Sequence, residues 1–170
     1  MNESLQKAIE SLVISDISLR HSHCDIEDGF EPKHVQESVK LTVEHKHEVV
    51  AGQILQLTED GSKTSLFRVF IEVGARWTHE DESSDGEAQN QSNEDGDPLN
   101  VLATIESTYI AEYIIKEHPG DDALKEFALN NASYHVWPYW REYLMSQCSR
   151  MNLPKMALPM TQFSRKEKAE

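Results

Sequence analysis

The strongest constraint on the fold is a pair of alternating segments set about Asp60-Gly61. Before it, Val39, Leu41, Val43 and Val49 point one way while Lys40, Thr42, Glu44, Lys46 and Glu48 point the other. After it, Phe67, Val69, Ile71, Val73, Ala75 and Trp77 face inward, with Arg68, Glu72 and Arg76 outward. A period of two marks half-buried strands, and Asp-Gly between two such runs is a strong hairpin signal. Gly52 is expected to mark a bulge or bend before Ile54, Leu55 and Leu57.

Ahead of the hairpin, Leu5, Ala8, Ile9 and Leu12 recur at helical spacing, predicting a short amphipathic helix over 2–12. About three turns of helix need a docking surface to persist. Period two then returns, with Val13, Ile17 and Leu19 opposite Asp16, Ser18 and Arg20, a strand that weakens beyond His23. Gly29 and Pro32 mark a turn. Beyond the hairpin, Val101, Ala103, Ile105, Tyr109, Ala111 and Tyr113 form the inner face of a fourth strand. Pro119-Gly120 turns the chain, Asp121 or Asp122 caps, and 122–130 is a short helix ending at Asn130 and Asn131. Strands first and helices last give an α+β fold: a four-stranded antiparallel sheet with C-terminal helices packed on one face.

The last stretch, 133–160, reads SYHVWPYWREYLMSQCSRMNLPKMALPM. Pro138 lacks a backbone donor, which places a helix start near Val136 to Pro138. Trp137, Trp140 or Arg141, Leu144, Cys148 and Met151 then form an apolar stripe. Asn152 is a C-cap and Pro154 stops the helix. Two prolines bracket the residues that follow, so the chain runs extended, with Pro154, Met156, Leu158 and Met160 on one side. Such a strip is adaptable apolar surface.

The run Trp137-Pro138-Tyr139, Arg141-Glu142, then Leu153-Pro154 and Leu158-Pro159 resembles the C-terminal half of the SecB family of chaperones. The resemblance covers roughly residues 13–160 as one domain over 1–170. It implies four antiparallel strands followed by a long helix, and a homotetramer built as a dimer of dimers. It also implies a nucleotide-independent chaperone that holds unfolded polypeptide in a groove between the extended loop and the sheet. The expected client-binding residues are Trp77, Trp137, Trp140, Tyr143, Leu153, Met156, Leu158 and Met160, apolar groups beyond what a small core needs. SecB proteins continue into another helix flanking the groove. Here only TQFSRKEKAE follows Met160, so the groove is expected to be open there. The family meets the SecA motor partly through an Asp-Ile-Ser-Phe-Glu pattern on its first strand. This chain reads Asp16-Ile17-Ser18-Leu19-Arg20: Asp16 and Ser18 match, and Arg20 reverses the last charge. The resemblance leaves two roles open, export with SecA and service to a dedicated client such as the antitoxin of a toxin–antitoxin system. Arg20 favours the second.

Charge narrows the partners. The 170 residues carry a formal −14, and eight of the acids fall in 80–98 with no Lys or Arg among them; without these the charge is −6. Neither value suits a phosphate backbone, which requires clustered cations. The span 79–98 is acidic, rich in Ser, Asn and Gly, and is expected to be a disordered loop between strands; 162–170 is expected to be a frayed tail. No apolar run approaches the ~18 residues that cross a bilayer. The N-terminal MNESLQKAIESL lacks a secretory pattern, and Cys24 and Cys148 read as reduced thiols in a cytoplasmic protein.

For catalysis the sequence offers little. There is no nucleophile elbow, Walker loop or dinucleotide fingerprint. His21 and His23, and again His45 and His47, are His-x-His pairs with metal-chelating spacing. A metal-dependent small-molecule enzyme built on them is the competing expectation. Each pair is expected to continue the apolar parity of its strand, with no cofactor and no bound metal under the chaperone reading.

Overall fold

The computed structural model describes residues 3–35, 39–79, 101–156 and 158 of the chain. Helix α1 spans Glu3–Ser11, followed by strands β1 (Leu12–Ile26), β2 (Leu41–Glu59), β3 (Ser62–His79) and β4 (Val101–Ile115). Helix α2 (Asp121–Phe127), a π turn (Ala128–Ala132) and helix α3 (Ser133–Arg150) complete the elements. The acidic span lies outside the described residues except for His79, which ends β3; the tail 162–170 and Met160 also lie outside them.

The four strands form one antiparallel sheet in the order β1-β4-β3-β2. The β2–β3 hairpin turns on Asp60 (φ 49°) and Gly61 (φ 79°), the two positive dihedrals that a two-residue hairpin loop requires. Directly opposed residues share a face, so the register assigns sides. Phe67, Val69, Ile71, Val73, Ala75 and Trp77 of β3, with Ala103, Ile105, Tyr109, Ala111 and Tyr113 of β4, all lie buried on the inner face. On the outer face, Lys46 pairs with Glu72 at 2.6 Å, Arg68 with Glu112 at 3.4 Å, and Arg76 with Glu44.

Two corrections concern bulges. The irregularity in β2 falls at Val50, between the pairs Val49–Ile71 and Ala51–Phe70, and not at Gly52. Gly52 serves another purpose: a Cβ there would stand 3.2 Å from the Phe67 ring. In β1, extra residues at Ser15 and Arg20 shift the parity twice. Val13 opposes Ile114 on the outer face, and it is Ile14 that joins Ile17 and Leu19 on the inner one. A bulge costs one pairing and reverses every face downstream, which simple alternation cannot register.

The helical layer departs most from expectation. Instead of two helices separated near Asn130–Asn131, α2, the π turn and α3 run end to end. Asp121 and Asp122 sit inside the first turn and cap nothing with their side chains. There they complement the helix dipole. Asn130 lies in the π turn and donates to the Glu126 carbonyl at 3.0 Å. Pro138 falls inside α3, not at its start. It is exposed, so the carbonyl that its missing N–H leaves free faces the wet side, where a helix tolerates the loss. The inward row is Leu124, Ala128, Ala132, Val136, Trp140, Leu144 and Cys148, every fourth residue and all buried. Trp137 and Met151, expected on the stripe, flank it half-buried. The helix ends at Asn152 (φ 55°), with Leu153 N–H donating to the Cys148 carbonyl at 2.9 Å, a left-handed cap of the Schellman kind.

Candidate functional site

The C-terminal strip is less open than its sequence suggests. Leu153 and Leu158 each retain 4 % of their exposure and belong to the core cluster with Trp77 and Trp140. These four expected client-binding side chains are therefore interior, a correction with a simple cause. The long helix crosses the sheet once, and bare apolar surface beside it must be covered by the chain that follows. Trp77 is wholly buried, and its indole N–H has no hydrogen-bond partner among the described residues. Trp137, Tyr143 and Met156 remain half-buried at the margin of the core. Tyr143 stacks on Trp140 with ring centroids 6.3 Å apart, and its hydroxyl lies 3.8 Å from the Cys24 sulfur. Burial raises the Tyr143 pKa, so the group is a neutral hydroxyl at physiological pH.

Sequence reasoning missed a second apolar feature. Between β2 and α2 lies a cleft of about 340 Å³. Val49, Gly52 and Ile54 form its sheet side, Phe67 adjoins Gly52, and Leu124, Ala128 and Leu129 form its helix side. The bulge at Val50 builds it, because the shifted parity aims Gly52 and Ile54 at the helix together with Val49. Asp121 and Lys125 stand at its rim. The signal available in the sequence is Gly52 followed by Ile54, where alternation alone reads Gly52 as a bulge or bend.

The histidine pairs do not converge. His21 and His23 oppose Thr108 and Glu106 on the outer face, because the Arg20 bulge overturns the expected parity; His45 and His47 oppose Ala75 and Val73 on the inner one. β1 and β2 are also opposite edges of the sheet. Among the described residues no group of three or more His, Cys, Asp or Glu side chains is placed to hold a metal ion. His47 instead bonds the Ser133 hydroxyl at 2.7 Å, and His135 bonds the Tyr113 hydroxyl at 2.9 Å. Partial burial lowers the pKa of His45, His47 and His135. Asp16 and Ser18 lie on the outer face opposite Glu112 and Ile110. Arg20 is the unpaired residue of the second bulge.

A third apolar surface lies on the exposed side of α3. Tyr134, Tyr139 and Met145 of α3 are 42–50 % exposed. No helix among the described residues is long and apolar enough to cross a membrane.

No family model matches this sequence, and no curated protein matches it. Among solved structures it is similar to the SecB-like chaperone Rv1957 of Mycobacterium tuberculosis, in complex with a ChAD peptide from the HigA1 antitoxin Rv1956. The similarity has a TM-score of 0.62 at 18% identity and covers 96% of this chain and 100% of that one. The chain therefore has the SecB-like fold, a four-stranded antiparallel sheet with its C-terminal helix packed against it.

Proposed function

We propose that this protein is a SecB-like holding chaperone that binds non-native polypeptide without nucleotide and releases it to a downstream acceptor. The observation that carries the reading is a SecB-like fold, matched over nearly the whole chain to a chaperone solved with a peptide, together with apolar surface left uncovered on both sides of the helix. Half-exposed aromatic and methionine side chains can repack against many sequences, as promiscuous binding requires. Trp137, Tyr143 and Met156, with Met160, are the members of the expected strip that meet a client; Trp77, Trp140, Leu153 and Leu158 support them from within. The client class we favour is a dedicated, aggregation-prone partner such as an antitoxin. Arg20 supports that choice, since a cation at the last position of the first-strand pattern opposes docking of a motor that seeks acids. The protein acts in the cytoplasm as a homotetramer, and Tyr134, Tyr139 and Met145 are covered between subunits.

The test is suppression of aggregation of a reduced, carboxymethylated model protein, with no nucleotide present. Wild type is expected to suppress it at stoichiometric ratios, and no suppression would refute the proposal. Trp137→Asp and Met156→Asp are expected to weaken suppression while leaving the circular dichroism unchanged. Leu158→Asp is unsuitable, because that side chain is interior and the variant would unfold. For the client class, an antitoxin encoded next to this chain is expected to aggregate alone and stay soluble when co-expressed with it. Tight binding of SecA by calorimetry would instead favour export.

A further inference from the structure

The chain's two cysteines, Cys24 and Cys148, are far apart in sequence and meet where α3 lies on the sheet. Three contacts fix the direction of that helix. The Tyr113 hydroxyl bonds His135, the Tyr109 hydroxyl donates to the Tyr139 carbonyl at 3.5 Å, and the Cys24 sulfur lies 3.8 Å from the Tyr143 hydroxyl. Cys24 stands opposite Ile105 of β4. Earlier positions of β4 thus meet later positions of α3, and the two run antiparallel. Past Tyr143 the inward row of the helix ends at Cys148, wholly buried, toward the same end of the sheet as Cys24. Burial first, and then the nearby Cys24 charge, hold the Cys148 thiol above its usual range. The two thiols also differ in access, Cys24 being exposed and Cys148 buried. An accessible thiol with a sheltered one behind it is the arrangement of a redox-sensing pair.

We infer that Cys24 and Cys148 are an oxidant-sensing pair that closes a reversible disulfide between β1 and the end of α3, with hydrogen peroxide as the oxidant. The Cys24 sulfur attacks one peroxide oxygen. A sulfur–oxygen bond forms, the oxygen–oxygen bond breaks, and the released hydroxide takes the thiol proton and leaves as water. Cys24 is then a sulfenic acid, oxidised by two electrons, and the peroxide is reduced by two. The Cys148 sulfur next attacks the Cys24 sulfur. The disulfide forms, and the sulfenic hydroxyl departs with the Cys148 proton as a second water. Burial keeps Cys148 protonated and away from the oxidant, so it reacts with its neighbour alone. The bond fixes the root of the C-terminal strip, because the Leu153 N–H is held by the Cys148 carbonyl. It also closes most of the chain into one loop, which restrains the unfolded state. A small dithiol reverses it, and the pair stands independently of the chaperone reading.

The probe is hydrogen peroxide in slight excess over the reduced, full-length protein, followed by alkylation of remaining thiols with iodoacetamide. Intact mass is expected to fall by two hydrogens with no alkyl group added, and dithiothreitol is expected to restore both thiols. Non-reducing electrophoresis is expected to show a single-chain band. Cys24→Ser, at an exposed position, is expected to fold as wild type and to keep Cys148 unoxidised, open to alkylation only after unfolding in denaturant. Cys148→Ala is expected to stop at the sulfenic acid of Cys24, trapped by dimedone. The melting temperature of oxidised wild type is expected to rise and to return after dithiothreitol. Two alkylated thiols after peroxide, disulfide-linked dimers, or a sulfenic or sulfinic acid as the end product in wild type would each overturn the inference. So would an oxidised form that melts below the reduced one, since the bond would then form only by breaking the packing of helix on sheet. None of these readouts involves a client, so absent aggregation suppression defeats the chaperone reading and leaves the thiol pair standing.

Discussion

Two histidines tie the helical layer to the sheet in their neutral form. His47 meets Ser133, His135 meets Tyr113, and burial lowers the pKa of both and of His45. A lowered folded-state pKa means that the unfolded chain binds more protons below the ordinary value of 6.5, so stability is full above that pH and declines as pH falls through it. Melting temperature is expected to drop between pH 7 and pH 5, and the double variant His47→Gln, His135→Gln is expected to flatten that dependence; an unchanged slope would show that these rings are solvated. Backbone conformation is as local. Gly61, at φ 79°, is expected to lose about 1–3 kcal/mol as Gly61→Val, measured by denaturant unfolding. The Asp-Gly signal was readable because its cause lies within two residues.

Among the elements, alternation located all four strands, while the bulges and the helix start escaped it. A bulge depends on which residue the neighbouring strand presents, and that neighbour is distant in sequence. Pro138 shows the same limit. Its helix-breaking tendency is real, but docking of Val136, Trp140, Leu144 and Cys148 on the sheet outweighs a local cost of about 3 kcal/mol. Because Pro138 is exposed, Pro138→Ala is expected to raise unfolding free energy by about 1–3 kcal/mol; a loss of stability would mean the ring is packed. Trp140→Ala is expected to cost about 3–5 kcal/mol, read in the same denaturant series. The candidate site was legible in kind more than in place. Aromatic and methionine residues after Ser133 announced apolar surface, yet half of the named side chains turned out to be interior, because composition cannot tell a covered residue from a covering one.

For the molecule as a whole, β3 and β4 are paired in unbroken register from Leu66–Ile114 to Trp77–Ala103, so the intervening segment is not needed to align them. Replacing 80–98 by a short linker is expected to leave melting temperature and the number of subunits per particle unchanged, checked by calorimetry and light scattering; dissociation would assign the acids a part in assembly. Tyr139→Asp with Met145→Asp on the exposed helix face is expected to shift the proposed tetramer toward smaller species in the same light-scattering measurement.

The amino-acid order alone determined the inner face of β3, the tight hairpin turn, the helix end at Asn152 and the α+β order of layers. All of these follow from forces acting within a few residues along the chain. Only the tertiary structure decided that the helix runs unbroken through Pro138, that Leu153 and Leu158 are covered, and that β2 and α2 part to leave a cleft. Those outcomes depend on how much area each segment removes from water against partners remote in sequence, a quantity that exists only once the layers have met.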